Sequence, residues 1–385
     1  MTHSARVSKI KAPENRVSFL RPQELHRPQR SRDYNNKQPD FVETTRAHVT
    51  PNSKSPFFSI ILSTRDRPEL FQIALQSVLE QTFINKEVIV VIDGSEDSNL
   101  QDYRELERQY EGIAFYHLQH RAMGHGQSYA MNTGVHRSAG QYLCFLDDDD
   151  QWADPEHLQR AYDCITHSNE SVDVYYSNQK AVFFDGNVKE EHVWIDDLID
   201  KVDSKNQHIE DSYFVDAAFL LSSGGFAHLN CSVFNRDFYL SRGGMDETIR
   251  YENDRDIYIR SIDAAKVMLY STRFVSLHNI PDVSKKSNMS TVSPMIEKKL
   301  YQLRVLDKGI SLSRKPEVVR FCCKAKMYEL KNAAHILAQN KQFRSAAHYA
   351  KAALCNGFNL RWLAYTLYLV GMTWAGKDET HSKVP

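Results

Sequence analysis

The chain has 385 residues, 42% hydrophobic and 25% charged, with 48 Lys and Arg against 49 Asp and Glu. Those proportions are those of a folded globular protein and exclude a mostly disordered, collagen-like or polytopic membrane chain, while the length allows two or three domains and a large core. The near-neutral total offers no general attraction to phosphate backbones, so no nucleic-acid partner is expected.

Residues 1–56 stand apart, carrying 11 Lys and Arg against 5 acids and 6 of the 12 prolines. Repeated proline and scarce apolar surface predict a disordered basic N-terminal arm. Most simply it is a solvated extension; the second reading is contact with an anionic membrane surface, which attracts Lys and Arg. No uninterrupted apolar segment of signal-peptide type lies near the start, so a cytoplasmic location is expected, at most peripheral at the inner membrane surface.

From Phe57 onward short apolar runs alternate with amphipathic ones. Residues 57–62, 87–92, 113–118 and 142–146 read as strands covered on both faces, and Pro68 opens a helix with Leu70, Ala74 and Val78 on one stripe. Repeated strand–helix–strand units predict an α/β fold with a mostly parallel sheet flanked by helices, its ligands beyond the carboxyl ends of the strands. The six cysteines form no C-x-x-C pair, so reduced thiols are expected. Beyond about residue 315 the strand signal ends. Leu330, Ala333, Ala334 and Leu337, then Phe343, Ala346, Ala347, Ala350 and Leu354, predict an all-helical C-terminal extension resembling a tetratricopeptide-type hairpin at 338–354. It reads as a cap on the main domain, with partner docking or membrane contact through the last helix as second readings. The nearest candidate, Trp362 to Gly376, uncharged between Arg361 and Lys377, falls short of the roughly 18 apolar residues that span a bilayer.

The densest chemical signal is "FLDDDDQW", which places Asp147, Asp148, Asp149 and Asp150 directly after a strand. Two like charges about 4 Å apart repel by roughly 4 kcal/mol at an effective dielectric near 20, so the cluster requires compensation. Hard oxygen ligands on a short turn suit Mg²⁺ or Mn²⁺; a solvated acidic turn is the alternative. Asp93 follows the second strand, and Thr64, Arg65 and Asp66 follow the first, so three strand ends of one sheet converge on polar side chains, as a nucleotide site in such a sheet requires.

Residues 57–280 resemble glycosyltransferase family 2, with its Rossmann-like GT-A nucleotide-sugar fold. The resemblance rests on "SIILSTRDRPELFQIALQSVLEQT" (59–82), "VIDGSEDS" (91–98), "GQSYAMNTGVHRSAGQYLCFLDDDD" (126–150), "GGMDE" (243–247) and "NDRDIYIR" (253–260), in order and at the family's spacing. It implies a glycosyltransferase domain over 57–314, with a nucleotide-binding half at 57–150 and an acceptor and catalytic half at 151–280, followed by the helical region 315–385. It further implies nucleotide contacts from Thr64, Arg65, Asp93, Asn132, Asp147 and Asp148, a Mn²⁺ or Mg²⁺ ion on Asp149 with His278 beside it, and Asp254 as the base that deprotonates the acceptor, with Glu252 its rival. Asn132 and Gly134 would shape the nucleotide pocket through the backbone. Ile92, Met131 and Asn253 depart from the family's usual acid, Arg and Glu. Trp194, Phe214, Phe219 and Phe226 would line the acceptor side, and the absence of a Q-x-x-R-W element favours a non-processive enzyme. The expected partners are a nucleoside-diphosphate sugar and a hydroxyl acceptor. A sugar-phosphate nucleotidyltransferase and an inactive scaffold that binds partners are the alternatives.

Overall fold

A computed structural model describes the backbone of residues 41–45 and all of 55–280 and 293–377; residues 1–40, most of the basic arm, lie outside the described residues. The strands are β1 (Phe41–Thr45), β2 (Phe58–Thr64), β3 (Lys86–Ile92), β4 (Ala114–Leu118), β5 (Tyr142–Asp147), β6 (Gln151–Trp152), β7 (Val174–Val182), β8 (Ser212–Val215), β9 (Ser232–Asn235) and β10 (Met268–Asn279). They form one sheet in the order β1-β4-β3-β2-β5-β9-β7-β10-β6, with β8 pairing the edge of β10. The four strands expected from sequence are β2 to β5, mutually parallel as the crossover pattern requires. One expectation for the arm is corrected: β1, within 1–56, adds antiparallel to β4. Its sequence FVETT holds two Thr and one Val and no Pro, so its backbone can satisfy the exposed edge of β4.

Alternation along the strands divides the apolar side chains between the two faces of the sheet. Ile60, Leu62, Val90 and Ile92 pack with Phe71, Ala74 and Val78 of helix α1 (Pro68–Leu79) and with Tyr103 and Leu106 of α2 (Asp97–Gln109). Ile61 and Phe145 face the other way, against Met131 and Val135 of α3 (Gln127–Arg137). The short antiparallel β9 interrupts the parallel order between β5 and β7. It also carries Asn230 and His228, just before it, to the end of β5.

Further helices are α4 (His157–Thr166), α5 (Ala217–Leu220), α6 (Arg236–Ser241), α7 (Asn253–Ala264), α8 (Met295–Leu312), α9 (Pro316–Gln339), α10 (Phe343–Asn356) and α11 (Leu360–Trp374). The expected hairpin is α9 and α10, with Leu330, Ala333, Ala334, Leu337, Phe343, Ala346, Ala347 and Ala350 buried as its stripe required. The helical part starts earlier than residue 315, however, because α8 already belongs to it. Val305 and Leu306 of α8 and Val318 and Cys322 of α9 enter the same core as Ile257, Ile259 and Ile262 of α7. The six cysteines are free thiols. Among the described residues no helix is long and apolar enough to cross a membrane.

Candidate active site

The parallel registers Ser63 to Asp147 and Thr64 to Ile92 set the carboxyl ends of β2, β3 and β5 side by side. Above them lies a cleft of about 580 Å³ lined by Thr64, Arg65, Asp93, Asp147, Asp148 and Asp149 from the ends of β2, β3 and β5 and also by Glu252, Asp254, Trp194, Phe226, His228 and His278. Residues far apart in sequence, from Thr64 to Asp254, therefore face one space.

Each sheet-side residue is held by its neighbours. The Asp93 carboxylate accepts from the backbone N–H of His125 and of Gly126, both at 2.8 Å, and also meets His125 Nδ1 at 2.9 Å. This closes the 124–126 loop over β3, where Gly126 has φ 102°, a region that favours glycine. Thr64 Oγ1 and the Tyr103 hydroxyl share a hydrogen bond of 2.7 Å. Arg65 Nη2 donates to the carbonyls of Arg121 and Ala122, both at 3.1 Å. Asn132 does not line the cleft: its Nδ2 donates to Met245 O and Glu247 Oε1, and its Oδ1 accepts from Met245 N. It ties the 243–247 segment to α3. Ile92 and Met131 are fully buried, so neither side chain reaches a ligand.

The aspartate cluster is partly compensated from within the chain. Arg67, at the start of α1, donates Nη1 to Asp149 Oδ2 at 2.9 Å and Nη2 to Asp148 Oδ1 at 2.5 Å. Burial raises the Asp148 carboxyl to about 6 even against the Arg67 charge, with Asp149 adding repulsion, and Asp148 Oδ2 is buried without a hydrogen-bond partner. Burial, then repulsion from Asp150, Asp149 and Asp148, pushes Asp147 well above the carboxylate range. Arg67 thus pairs two of the four carboxylates, Asp148 and Asp149. Oxygens of Asp147, Asp149 and Asp150 lie within 4.8 Å of one another, close enough for one divalent cation. The donor set, all carboxylate, fits Mg²⁺ or Mn²⁺.

A second grouping, Asp150 with His228 and His278, has the same spacing. His278 Nδ1 meets Asp150 Oδ2 at 2.8 Å. Burial lowers the His278 pKa, but Asp150, Asp149 and Asp147 outweigh it and raise it to about 9. His228 behaves in the opposite sense. Burial, then the His278 charge, lowers it to about 3, and its Nδ1 accepts from the Asn230 N–H at 3.3 Å. A neutral ring accepting at Nδ1 carries its proton on Nε2, which faces Asp254 Oδ2 at 3.7 Å and Asp147 Oδ2 at 3.9 Å. In this tautomer Nε2 carries the ring proton and does not ligate a metal.

Asp254 opens α7, whose preceding residue Glu252 adopts φ 58°, an uncommon conformation for a bulky side chain. Asn253 Nδ2 donates to Gln127 Oε1 and Ser128 Oγ, locking the first turn of α7 to that of α3. Burial, then repulsion from Glu252, raises the Asp254 carboxyl to about 7. Both oxygens of Glu252 are engaged, by Arg255 Nη1 at 3.0 Å and by Gln302 Nε2. Asp254 Oδ1 accepts from the Arg255 N–H at 2.8 Å.

Of the expected acceptor-side aromatics, Trp194 and Phe226 line the cleft. Phe214 and Phe219 instead line a separate depression of about 400 Å³ with Asp203 and Asp216. Sequence reasoning passed over Arg67, His228 and Gln127, which donates Nε2 to Asp147 Oδ1 at 2.6 Å. Arg67 was within reach, since the residue before a helix-opening proline beside an acidic strand end is a natural counter-charge. His228 carried no local signal.

Residues 59–238 match the model of the Glycosyl transferase family 2. A segment is 31% identical over 105 residues to "Glycosyltransferase GlyA" of Streptococcus pneumoniae serotype 4, covering 27% of this chain and 14% of that protein. Another is 30% identical over 96 residues to "GalNAc(5)-diNAcBac-PP-undecaprenol beta-1,3-glucosyltransferase" of Campylobacter jejuni, 25% of this chain and 30% of that protein. The matches thus span less than a third of these two relatives. The crystal structure of S. aureus TarS 1-349 superposes with a TM-score of 0.55 at 14% identity, over 84% of this chain and 93% of that one. TarS 1-349 in complex with UDP-GlcNAc gives 0.55 at 16%, over 83% and 88%. The fold is the GT-A α/β fold expected from sequence.

Proposed function

We propose that this chain, which belongs to glycosyltransferase family 2 through residues 59–238, transfers one sugar from a nucleoside-diphosphate sugar to an acceptor hydroxyl with inversion, aided by a divalent cation. The observation that carries the reading is the cleft in which strand-end carboxylates of Asp93, Asp147 and Asp149 face Asp254. A nucleotide laid along the strand ends would meet Thr64, Arg65 and Asp93 at its base, Asp147 at its ribose and Asp148 behind it. Asn132 acts indirectly, by holding the 243–247 segment. Asp149 would hold the cation; His278, tied to Asp150 through Nδ1, would join it through Nε2 only on losing the proton that its raised pKa keeps there. When bound, the cation neutralises charge on the departing diphosphate.

Asp254 is the better base than Glu252, whose two oxygens are already committed. An ionised Asp254 takes the proton from the acceptor hydroxyl as it attacks the anomeric carbon from the side opposite the diphosphate, and that single displacement inverts the centre. The Trp194 and Phe226 faces offer packing surfaces for a sugar ring. One relative is named for transfer to an undecaprenol-linked saccharide, so glycan hydroxyls, free or lipid-linked, are the acceptor class we favour.

The test is turnover of a nucleotide-sugar panel beginning with UDP-GlcNAc, with and without Mn²⁺ or Mg²⁺. Release of nucleoside diphosphate supports glycosyl transfer, whereas release of diphosphate from a nucleoside triphosphate and a sugar phosphate would indicate a nucleotidyltransferase. Asp254→Asn should lower kcat by about 10² to 10⁴ while nucleotide affinity is kept. With the Asp254 pKa raised to about 7, the base is ionised above that value, so kcat/KM in the wild type should fall as pH drops through 7. An Asp254→Asn enzyme of undiminished kcat would remove Asp254 from the mechanism.

A further inference from the structure

The last helix, α11, is apolar on both sides. Its inner side buries Trp362, Thr366 and Leu369 against α9 and α10. Its outer side presents Leu360 (73% exposed), Leu367 (62%), Tyr368 and Trp374 (88%), with Phe358 just before it. Positions 360, 367, 368 and 374, together with the exposed Ala364 and Gly371, recur at three- and four-residue spacing, so they form one continuous outer stripe. A surface helix of a free-standing globular protein carries charge on that side; this one carries none between Arg361 and Lys377.

Two observations identify what covers it. First, residues 341–377 contain Lys341, Arg344, Lys351, Arg361 and Lys377 and no acid at all, in a chain with 49 acids, and all five cations are exposed. This +5 segment complements an anionic surface. Second, the helix has 15 residues, about 22 Å at 1.5 Å per residue, against a hydrocarbon thickness of about 30 Å. It is too short to span and is built to lie flat, with Trp374 and the cations at its ends at headgroup depth. The geometry points to α11 as an in-plane anchor that docks the protein on an anionic lipid bilayer through Leu360, Leu367, Tyr368 and Trp374. This inference does not depend on the proposed chemistry of the cleft, and its readout is binding, not turnover.

The test is co-sedimentation of the full chain with vesicles of equimolar phosphatidylglycerol and phosphatidylcholine, and with vesicles of phosphatidylcholine alone. The wild type should partition onto the anionic vesicles, less so as salt is raised. Leu367→Glu/Trp374→Glu should weaken that partitioning by about tenfold or more, since binding scales with the apolar area inserted. Its melting temperature should be unchanged, because both side chains are exposed. Leu367→Ser/Trp374→Ser keeps the experiment decisive should the acidic pair lower the melting temperature. Three results would overturn the inference: no partitioning of the wild type; equal partitioning of the variants, which would assign binding to another segment such as the basic arm; or a wild-type oligomer that the variants dissolve, which would mean that a second copy covers the stripe.

Discussion

At the scale of single residues, Arg67 decides how the aspartate turn survives without a ligand. Its guanidinium spans Asp148 and Asp149. Burial disfavours its charge, but Asp148, Asp149 and Asp147 outweigh burial and hold it protonated. Removing one partner of a buried pair leaves the other charge uncompensated, at a cost of about 3–5 kcal/mol. Arg67→Met should therefore lower the melting temperature by several degrees in the presence of a chelator. The pH dependence has a definite sign. Asp148 is raised to about 6 in the fold, so it is neutral at pH 5 and charged at pH 8, and the loss in Arg67→Met should be larger at pH 8. Millimolar Mn²⁺ or Mg²⁺ should restore part of that loss if the turn is a cation site. Equal losses at both pH values, measured by thermal denaturation, would mean that Arg67 acts through packing alone.

At the scale of elements, the site depends on how α3 sits on the sheet. A Cβ built on Gly134 would lie 2.6 Å from Ile61 Cγ2 and 3.4 Å from Val91 Cγ2, so the helix approaches β2 and β3 at glycine distance. Gly134→Val should cost about 1–3 kcal/mol of stability by overpacking. It should weaken nucleotide binding as well, because the first turn of α3 carries Gln127 and Ser128 of the cleft. Calorimetric titration with UDP alongside a melting curve separates the two effects, and full binding with lowered stability would detach the helix seat from the site. This level also shows what was legible in sequence. Strands β2 to β5 were, since they are short β-branched or aromatic runs, three of them nearly continuous in apolar character as strands covered on both faces are. So was the convergence of Asp93, Asp147 and Asp149, which follows from parallel order alone. Strand β9 was not: its four residues pair β5 and β7 antiparallel through contacts about 60–90 positions away, and no local periodicity encodes such a partner. His228 and Asn230 were hidden with it. The way Asn132 acts was hidden for a similar reason, because its amide serves a segment 113 positions away.

At the scale of the whole molecule, the boundary between sheet and helices is set by shared burial. The sequence pattern changes near residue 315, but Val318 and Cys322 beyond it are fully buried in the core that holds Ile257, Tyr258 and Ile262. Gly309 leaves room for the Cys322 thiol at the contact of α8 with α9. Lys308 adds ion pairs to Asp246 at 2.8 Å and Asp256 at 2.9 Å, fastening α8 to the 243–247 segment and to α7, the helix that presents Asp254. The helical region therefore supports the wall of the cleft and does not form a detachable module. Ending the chain at residue 314 would strip Val318 and Cys322 from the core and leave apolar surface of α7 and α8 in water. Each large buried side chain lost costs about 2–5 kcal/mol, against a total stability of about 5–15 kcal/mol for a typical domain. The 1–314 fragment should thus be largely unfolded or aggregated at 25 °C, whereas Leu367→Ser/Trp374→Ser, confined to the outer side of α11, should melt like the wild type. A cooperative melt of the fragment at the wild-type temperature would restore the boundary at 315 and make the helices an independent unit.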